Sequence, residues 1–109
     1  MPFARPPSKG TLRKYGLSTE QWLAILAGQG WVCAVCKRVP PSGRWVTDHF
    51  HHQNRTWKKM TAEQRRREVR GIICAFCNSH VVGRFMTLSK AKNVVVYLEG
   101  FEARRASAR

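Results

Sequence analysis

Four cysteines, arranged as Cys33-x-x-Cys36 and Cys74-x-x-Cys77 with 37 residues between the pairs, constrain this chain more than any other feature. A two-residue spacer lets both sulfurs of a tight turn point at one ion, and two such knuckles complete the tetrahedral four-thiolate set that structural Zn²⁺ prefers. Two separate redox CxxC sites would need a βαβ context that is missing here, and four unrelated core thiols would leave the paired spacing unexplained. A closed four-thiolate site keeps no position for water, so this zinc is expected to hold the fold together and to stay out of any reaction. Such a staple matters because a chain of 109 residues buries only about 60–70% of its unfolded surface and builds a thin core.

Around the knuckles the chain reads as one small α+β domain. Residues 1–14, rich in proline and basic side chains, read as an irregular arm outside the core. Ser18 and Gln21 form a capping box, flanked by a Leu17/Trp22 staple, and predict a helix with Trp22, Leu23, Ile25 and Leu26 on one face and Gly28 as a left-handed cap. The turn signal Pro40-Pro41-Ser42-Gly43 precedes a short strand, Arg44-Trp45-Val46-Thr47, which delivers Asp48 and His49 at its end. A polar, basic stretch over 52–68 reads as an insertion, with Thr61 and Gln64 capping a short helix that carries Arg65, Arg66 and Arg67. A second strand, Val69 to Ile73, runs into Cys74, and Asn78 is expected to open a helix toward Val82, ended by Gly83. Ser89 is expected to cap a last helix through Leu98, although Val94-Val95-Val96 would by propensity also suit a strand. The tail over 101–109 reads as frayed and basic.

Charge narrows the partners. Twenty Lys and Arg face 6 Asp and Glu, a formal net charge of +14. Solubility rarely needs that much charge of one sign, and nucleic acid precedes a membrane surface because no strongly amphipathic basic helix stands out. No apolar run approaches the ~18–20 residues of a membrane span, and Met1–Gly10 lacks the apolar stretch of a signal peptide. The protein is therefore expected to be soluble and intracellular, where reducing conditions favour metal over disulfides.

A second constellation, Asp48-His49-Phe50-His51-His52 and Asn78-Ser79-His80, flanks the insertion. If Cys36 and Cys74 bind one ion, the strands between them are clamped as a hairpin, and Asp48 and Asn78 can meet across it. A carboxylate and an amide oxygen, with the remaining positions left to water and phosphate, suit Mg²⁺ or Mn²⁺. His49, not needed as a ligand, can act as general base, since its reference pKa of about 6.5 leaves much of it neutral near pH 7. A base, a Lewis acid and a phosphate-attracting surface are the requirements for phosphodiester hydrolysis. Each residue also has a plainer reading: Asp48 as a cap, Asn78 as a helix N-cap, His51 as a packing group, His52 as a solvated one. His80 is a further candidate for the divalent metal. Trp45 and Phe76 read as core, whereas Trp57, in a polar basic stretch, is the best candidate for stacking on a nucleotide. Arg44, Trp57, Lys58, Lys59, Arg65, Arg66, Arg67, Arg70 and Arg84 are the expected DNA contacts, with a solvated helix face as the alternative for the arginine run.

These residues carry a resemblance. Cys33-Ala34-Val35-Cys36, Thr47-Asp48-His49-Phe50-His51, the run from Val69 through Arg70-Gly71-Ile72-Ile73-Cys74-Ala75-Phe76-Cys77 to Asn78, and Val82-Gly83-Arg84-Phe85 resemble in order the HNH nucleases of the recombination endonuclease VII family. The segment from Tyr15 to Cys33 resembles the helix before the first knuckle in phage members, and the likeness covers about Tyr15 to Gly100. It implies a zinc-stapled ββα-metal (HNH) fold with flanking helices over 15–100, and DNA cleavage leaving 5′-phosphate and 3′-hydroxyl ends. It assigns Asp48 and Asn78 to the catalytic metal, His49 to the base and His51 to the second histidine of the D-H-x-H element. The stretch 52–68 is longer than the loop usual there. The chain also ends soon after Gly100 and is expected to lack the long dimerising helices of the junction-resolving enzyme, which favours a monomer. The expectation is a phage or prophage endonuclease of little sequence specificity, acting in the bacterial cytoplasm, with packaging or recombination proteins as possible partners. The competing reading is a non-catalytic, zinc-stapled DNA-binding accessory module.

Overall fold

The computed structural model describes residues 4–51 and 56–107, and its core is arranged about a two-stranded antiparallel sheet. Strands β1 (Trp45–His49) and β2 (Val69–Cys74) pair in the register Trp45↔Cys74, Val46↔Ile73, Thr47↔Ile72 and Asp48↔Gly71. Beyond Asp48 the ladder slips: His49 pairs with Val69, which leaves Arg70 as an extra residue on β2. A bulge of this kind turns a side chain that strict alternation would send to the other face. Both strands form where β-branched and aromatic residues were expected to build them. Each continues farther, so that Asp48, His49 and Cys74 lie within the ladder.

Helices α1 (Lys9–Lys14) and α2 (Thr19–Gly28) build the larger core cluster, in which Leu12, Leu17, Trp22 and Leu26 bury Ile72 of β2. The predicted capping box is present: Ser18 Oγ accepts the Gln21 N–H at 3.1 Å, and Gln21 Oε1 accepts the Ser18 N–H at 2.8 Å. Trp22 Nε1 donates to Thr47 Oγ1 at 3.0 Å, so the largest core side chain buries its polar atom satisfied and locks α2 to β1. Two expectations are corrected here. Gly28 is the last helical residue, Gln29 is the cap, and the left-handed conformation belongs to Gly30 and Trp31. The irregular arm gives way to helix from Lys9 onward, with Ser8 Oγ accepting the Thr11 N–H and Leu12 only 1% exposed. A six-residue helix is too short to persist by propensity, so α1 exists because burying Leu12 holds it.

Gln29 also settles the outer edge of β2. Its Oε1 accepts the Ile72 N–H at 2.9 Å while its Nε2 donates to the carbonyls of Ile72 at 2.8 Å and Val32 at 3.0 Å. A side-chain amide thus stands where a third strand would, pairing an N–H that burial would otherwise leave unsatisfied.

Within the insertion, a 3₁₀ turn (Thr56–Lys59) leads to α3 (Ala62–Arg67), whose Thr61/Gln64 capping box matches the prediction. Gly16 has φ +67°, and a Cβ there would run into the Ala62 carbonyl; Arg66 Nε donates to the Gly16 carbonyl at 2.8 Å. The insertion is therefore pinned to the chain between α1 and α2. The expected solvated residue His52 lies outside the described residues.

Helix α4 (Ala75–His80) follows β2 without a loop and packs on both strands. Its N-cap is Cys74, whose Sγ accepts the Cys77 N–H at 3.4 Å, so Asn78 lies inside the helix instead of opening it. The last helix, α5 (Leu88–Ser107), starts on Thr87, whose Oγ1 accepts the Lys90 N–H at 3.1 Å, and not on Ser89. It carries Val94-Val95-Val96 as helix and continues through most of the tail expected to fray. None of its residues is buried.

Candidate active site

The four cysteines converge as expected. Their Sγ atoms all lie within 4.8 Å of one another, and Cys36 and Cys74 Sγ are 3.9 Å apart. A tetrahedron with Zn–S bonds of ~2.3 Å has S···S edges of ~3.8 Å, so the donors fit zinc. The first knuckle closes through Lys37 N–H to the Cys33 carbonyl at 3.0 Å and Cys33 N–H to the Arg38 carbonyl at 2.9 Å. Burial alone would raise the Cys33 thiol, but backbone N–H groups aimed at its sulfur, from Val35 at 3.4 Å and Cys74 at 3.3 Å among them, outweigh it and bring the pKa down to about 6. Cys77, buried and facing the other three sulfurs, is pushed up to about 12. Four thiols this close cannot all ionise by themselves; a dication among them removes the conflict.

One end of the hairpin holds this four-cysteine cluster and the other holds the acid and the imidazoles. Asp48 is 5% exposed, and Arg70 grips both of its oxygens: Nε to Oδ2 at 2.8 Å and Nη2 to Oδ1 at 3.0 Å. An uninterrupted ladder would seat Arg70 opposite His49, on the face away from Asp48; the bulge brings it to the carboxylate. The expected phosphate contact is thus an ion-pair partner of the expected metal ligand.

His49 is half-buried, with ring centroids of His51 at 4.4 Å, Trp57 at 4.7 Å and Tyr15 at 5.3 Å. Its Nδ1 is buried with no hydrogen-bond partner. Burial first, and the charge on His51 next, lower its pKa below the usual 6.5; the Thr47 backbone and Asp48 pull the other way and do not prevail. The imidazole is accordingly neutral at pH 7. Tyr15, which sequence reasoning missed, is pushed up by burial and then by the Asp48 charge, so it stands protonated beside the pair. Nothing in the sequence flags it, since its place follows from α1 and the Gly16 turn.

Trp57, half-buried, packs edge-on to Tyr15 at 6.0 Å, beneath the Arg65 guanidinium at 5.5 Å and against His49. Asn78 is half-buried on α4. Val46, two residues before Asp48 on the same strand face, packs into the cluster of Cys33, Ile73, Cys74 and Cys77, which includes α4. Asp48 and Asn78 therefore belong to neighbouring elements, and their carboxylate and amide oxygens are the hard donors a Mg²⁺ or Mn²⁺ ion takes alongside water. Among the described residues, the cysteine set is the one group of three or more His, Cys, Asp or Glu able to hold an ion. His80 is exposed, stacked on Phe76 at 4.5 Å with Nδ1 3.2 Å from the Phe76 carbonyl, and is tied to its own helix. Phe76, expected in the core, is 62% exposed.

The arginine run divides by task. Arg65 donates to the carbonyls of Trp57 at 3.0 Å and Lys14 at 3.5 Å, Arg66 to that of Gly16, and Arg67 pairs with Glu63 at 2.8 Å. Arg44, Lys58, Lys59 and Arg84 are exposed. No helix among the described residues is long and apolar enough to cross a membrane. In comparison with known proteins, the model of the recombination endonuclease VII family matches residues 8–100. No curated protein and no solved structure matches the chain.

Proposed function

The chain belongs to the recombination endonuclease VII family, and from that premise we propose that it is a metal-dependent DNA endonuclease of the HNH type, encoded by a phage or prophage and acting in the bacterial cytoplasm. In this reading β1, β2 and α4 are the ββα unit, zinc staples it, and Asp48, His49 and Asn78 form the reactive end. The observation that carries the reading is His49: an imidazole held neutral by burial, its Nδ1 buried and unpartnered, next to a buried carboxylate at a sheet bulge. Its Nε2 takes the proton of the attacking water. Asp48 and Asn78 would hold Mg²⁺ or Mn²⁺, which when bound supplies Lewis acidity toward the phosphate oxygens. His51 sets the basicity of its neighbour, and Tyr15 and Trp57 exclude water from the far side of the ring. The exposed cations Arg44, Lys58, Lys59 and Arg84 suit backbone phosphates and read no bases, in keeping with little sequence specificity and a monomer that needs no paired half-site. Recruitment by packaging or recombination proteins belongs to the same proposal.

One observation favours the second reading, a zinc-stapled binding module without catalysis: both Asp48 oxygens are already occupied by Arg70. Incubating the zinc-loaded protein with supercoiled plasmid and Mg²⁺ or Mn²⁺, with EDTA as control, separates the two. Nicked or linear product that His49→Ala abolishes, with DNA affinity kept within a few-fold, is the expected result. Tight DNA binding with no cleavage under either metal would establish the accessory module instead.

A further inference from the structure

The bulge at Arg70 lets Val69 pack with Ile72 against the first core cluster, and it also delivers a cation to the acid assigned to the metal. Strict strand alternation would carry Arg70 away from Asp48; the extra residue on β2 turns it back. The grip is complete, since both Nε and Nη2 donate and both Oδ atoms accept, the bidentate form of an arginine–carboxylate pair. Burial is unequal: the Asp48 side chain is 6% exposed and that of Arg70 33%. The carboxylate is thus withdrawn from solvent with a more exposed guanidinium paired to both of its oxygens, and a dication that binds there has to contend with that positive charge.

We propose that Arg70 is a gate: it closes Asp48 to divalent metal in the free protein and releases it when a DNA phosphate takes the guanidinium, so that metal loading depends on DNA. Phosphate is a suitable exchange partner because it presents two oxygens to the same planar fork that now holds the carboxylate. The released carboxylate then faces a vacated position, with the positive charge moved to the strand being bound. Metal and DNA consequently each raise the other's affinity by the same factor, as linkage requires. The benefit is that the protein does not hold a loaded metal while off DNA. Arg70 is in these terms a positioning residue, acting through Asp48.

The inference rests on the assignment of Asp48 to the catalytic metal. Its test is Mn²⁺ affinity, read from the electron paramagnetic resonance of free Mn²⁺ in titrations of zinc-loaded protein with and without a short duplex. A His49→Ala background keeps the duplex whole. The parent should bind Mn²⁺ weakly alone and at least about tenfold more tightly with duplex. Adding Arg70→Gln should raise the affinity without DNA about tenfold or more and shrink the gain from DNA to less than about threefold. Arg70→Lys, which keeps the charge but holds one oxygen at a time, should fall between, and it carries the test if the glutamine variant loses its melting transition. Equal or weaker Mn²⁺ binding in folded Arg70→Gln and Arg70→Lys would overturn the gate and make Arg70 an orienting support for Asp48. Mn²⁺ binding that Asp48→Asn leaves unchanged would overturn the metal assignment, and the gate with it. Loss of binding in Asp48→Asn, with the Arg70 variants behaving like the parent, would overturn the gate alone.

Discussion

In its proposed role as general base, His49 takes its properties from its surroundings. Its unperturbed pKa of about 6.5 would leave it part-protonated near neutrality, and burial with the His51 charge moves it lower. For a general base the neutral form is the active one, so a lowered pKa extends activity toward acid. The kcat/KM profile for plasmid cleavage should therefore rise with pH through an inflection below about 6.5 and level off above it. Replacing His51 with Ala removes the neighbouring charge and should move that acid limb up toward the unperturbed value. An inflection that stays in place would mean that another group takes the proton, and cleavage lost altogether in His51→Ala would identify His51 as that group. Neither the Tyr15 contact nor the Trp57 contact could be read from the sequence, because each depends on where the insertion folds back.

At the scale of elements, local signals and tertiary ones part company. The Ser18/Gln21 and Thr61/Gln64 boxes, the two strands and the cysteine knuckles were legible because capping, β-branched runs and ligand spacing are local facts. Helix α1 was not, since one buried leucine in a basic, proline-flanked stretch gives no period, and the Arg70 bulge has no sequence signature at all. Gln29 is a third case. Its side chain satisfies the Ile72 N–H on the edge of β2, whereas the Ile72 carbonyl also accepts from Ala34 N–H at 3.2 Å. Gln29→Ala should thus leave one buried donor unpaired and cost ~1–3 kcal/mol, a shift visible in urea unfolding of the zinc-loaded protein. A midpoint within error of the parent would mean that water replaces the amide there. The insertion sorts its cations in the same physical way. Arg65 and Arg66 spend their donors on backbone carbonyls, so their removal loosens α3 before it touches DNA. Lys58 and Lys59 lie exposed on the 3₁₀ turn. Replacing both lysines with Ala should lower the log–log salt slope of duplex binding by up to ~1.8, about 0.9 per lost phosphate contact, with melting unchanged. An unaltered slope would make the turn a solvated face.

Across the whole molecule, the apolar interior falls into two clusters with different means of support. The first is conventional, with Leu12, Leu17, Trp22, Leu26 and Ile72 closing on one another. The second consists of Cys33, Ile73, Cys74 and Cys77, so that three of its four buried members are themselves thiols. Trp45 packs against both. Without a cation the second cluster has little apolar surface to hold it, and it confines sulfurs whose proton affinities are driven as far apart as about 6 and about 12. Binding free energy at a four-thiolate site is folding free energy, and here it supports the strands that carry Asp48 and His49 and the helix that carries Asn78. Exhaustive zinc removal should consequently abolish the cooperative melt and the near-ultraviolet signal of Trp45, and cleavage should go with them even when Mg²⁺ is abundant. Readdition of Zn²⁺ should restore all three, and Co²⁺ in its place should show the intense visible absorption of a tetrahedral thiolate site. Because α1 and α2 close on Ile72, which belongs to β2, the first cluster should lose its order together with the second. If verified zinc-free protein keeps its melting curve, then the Leu12–Trp22 cluster alone holds the hairpin, and the cysteines serve something other than the fold.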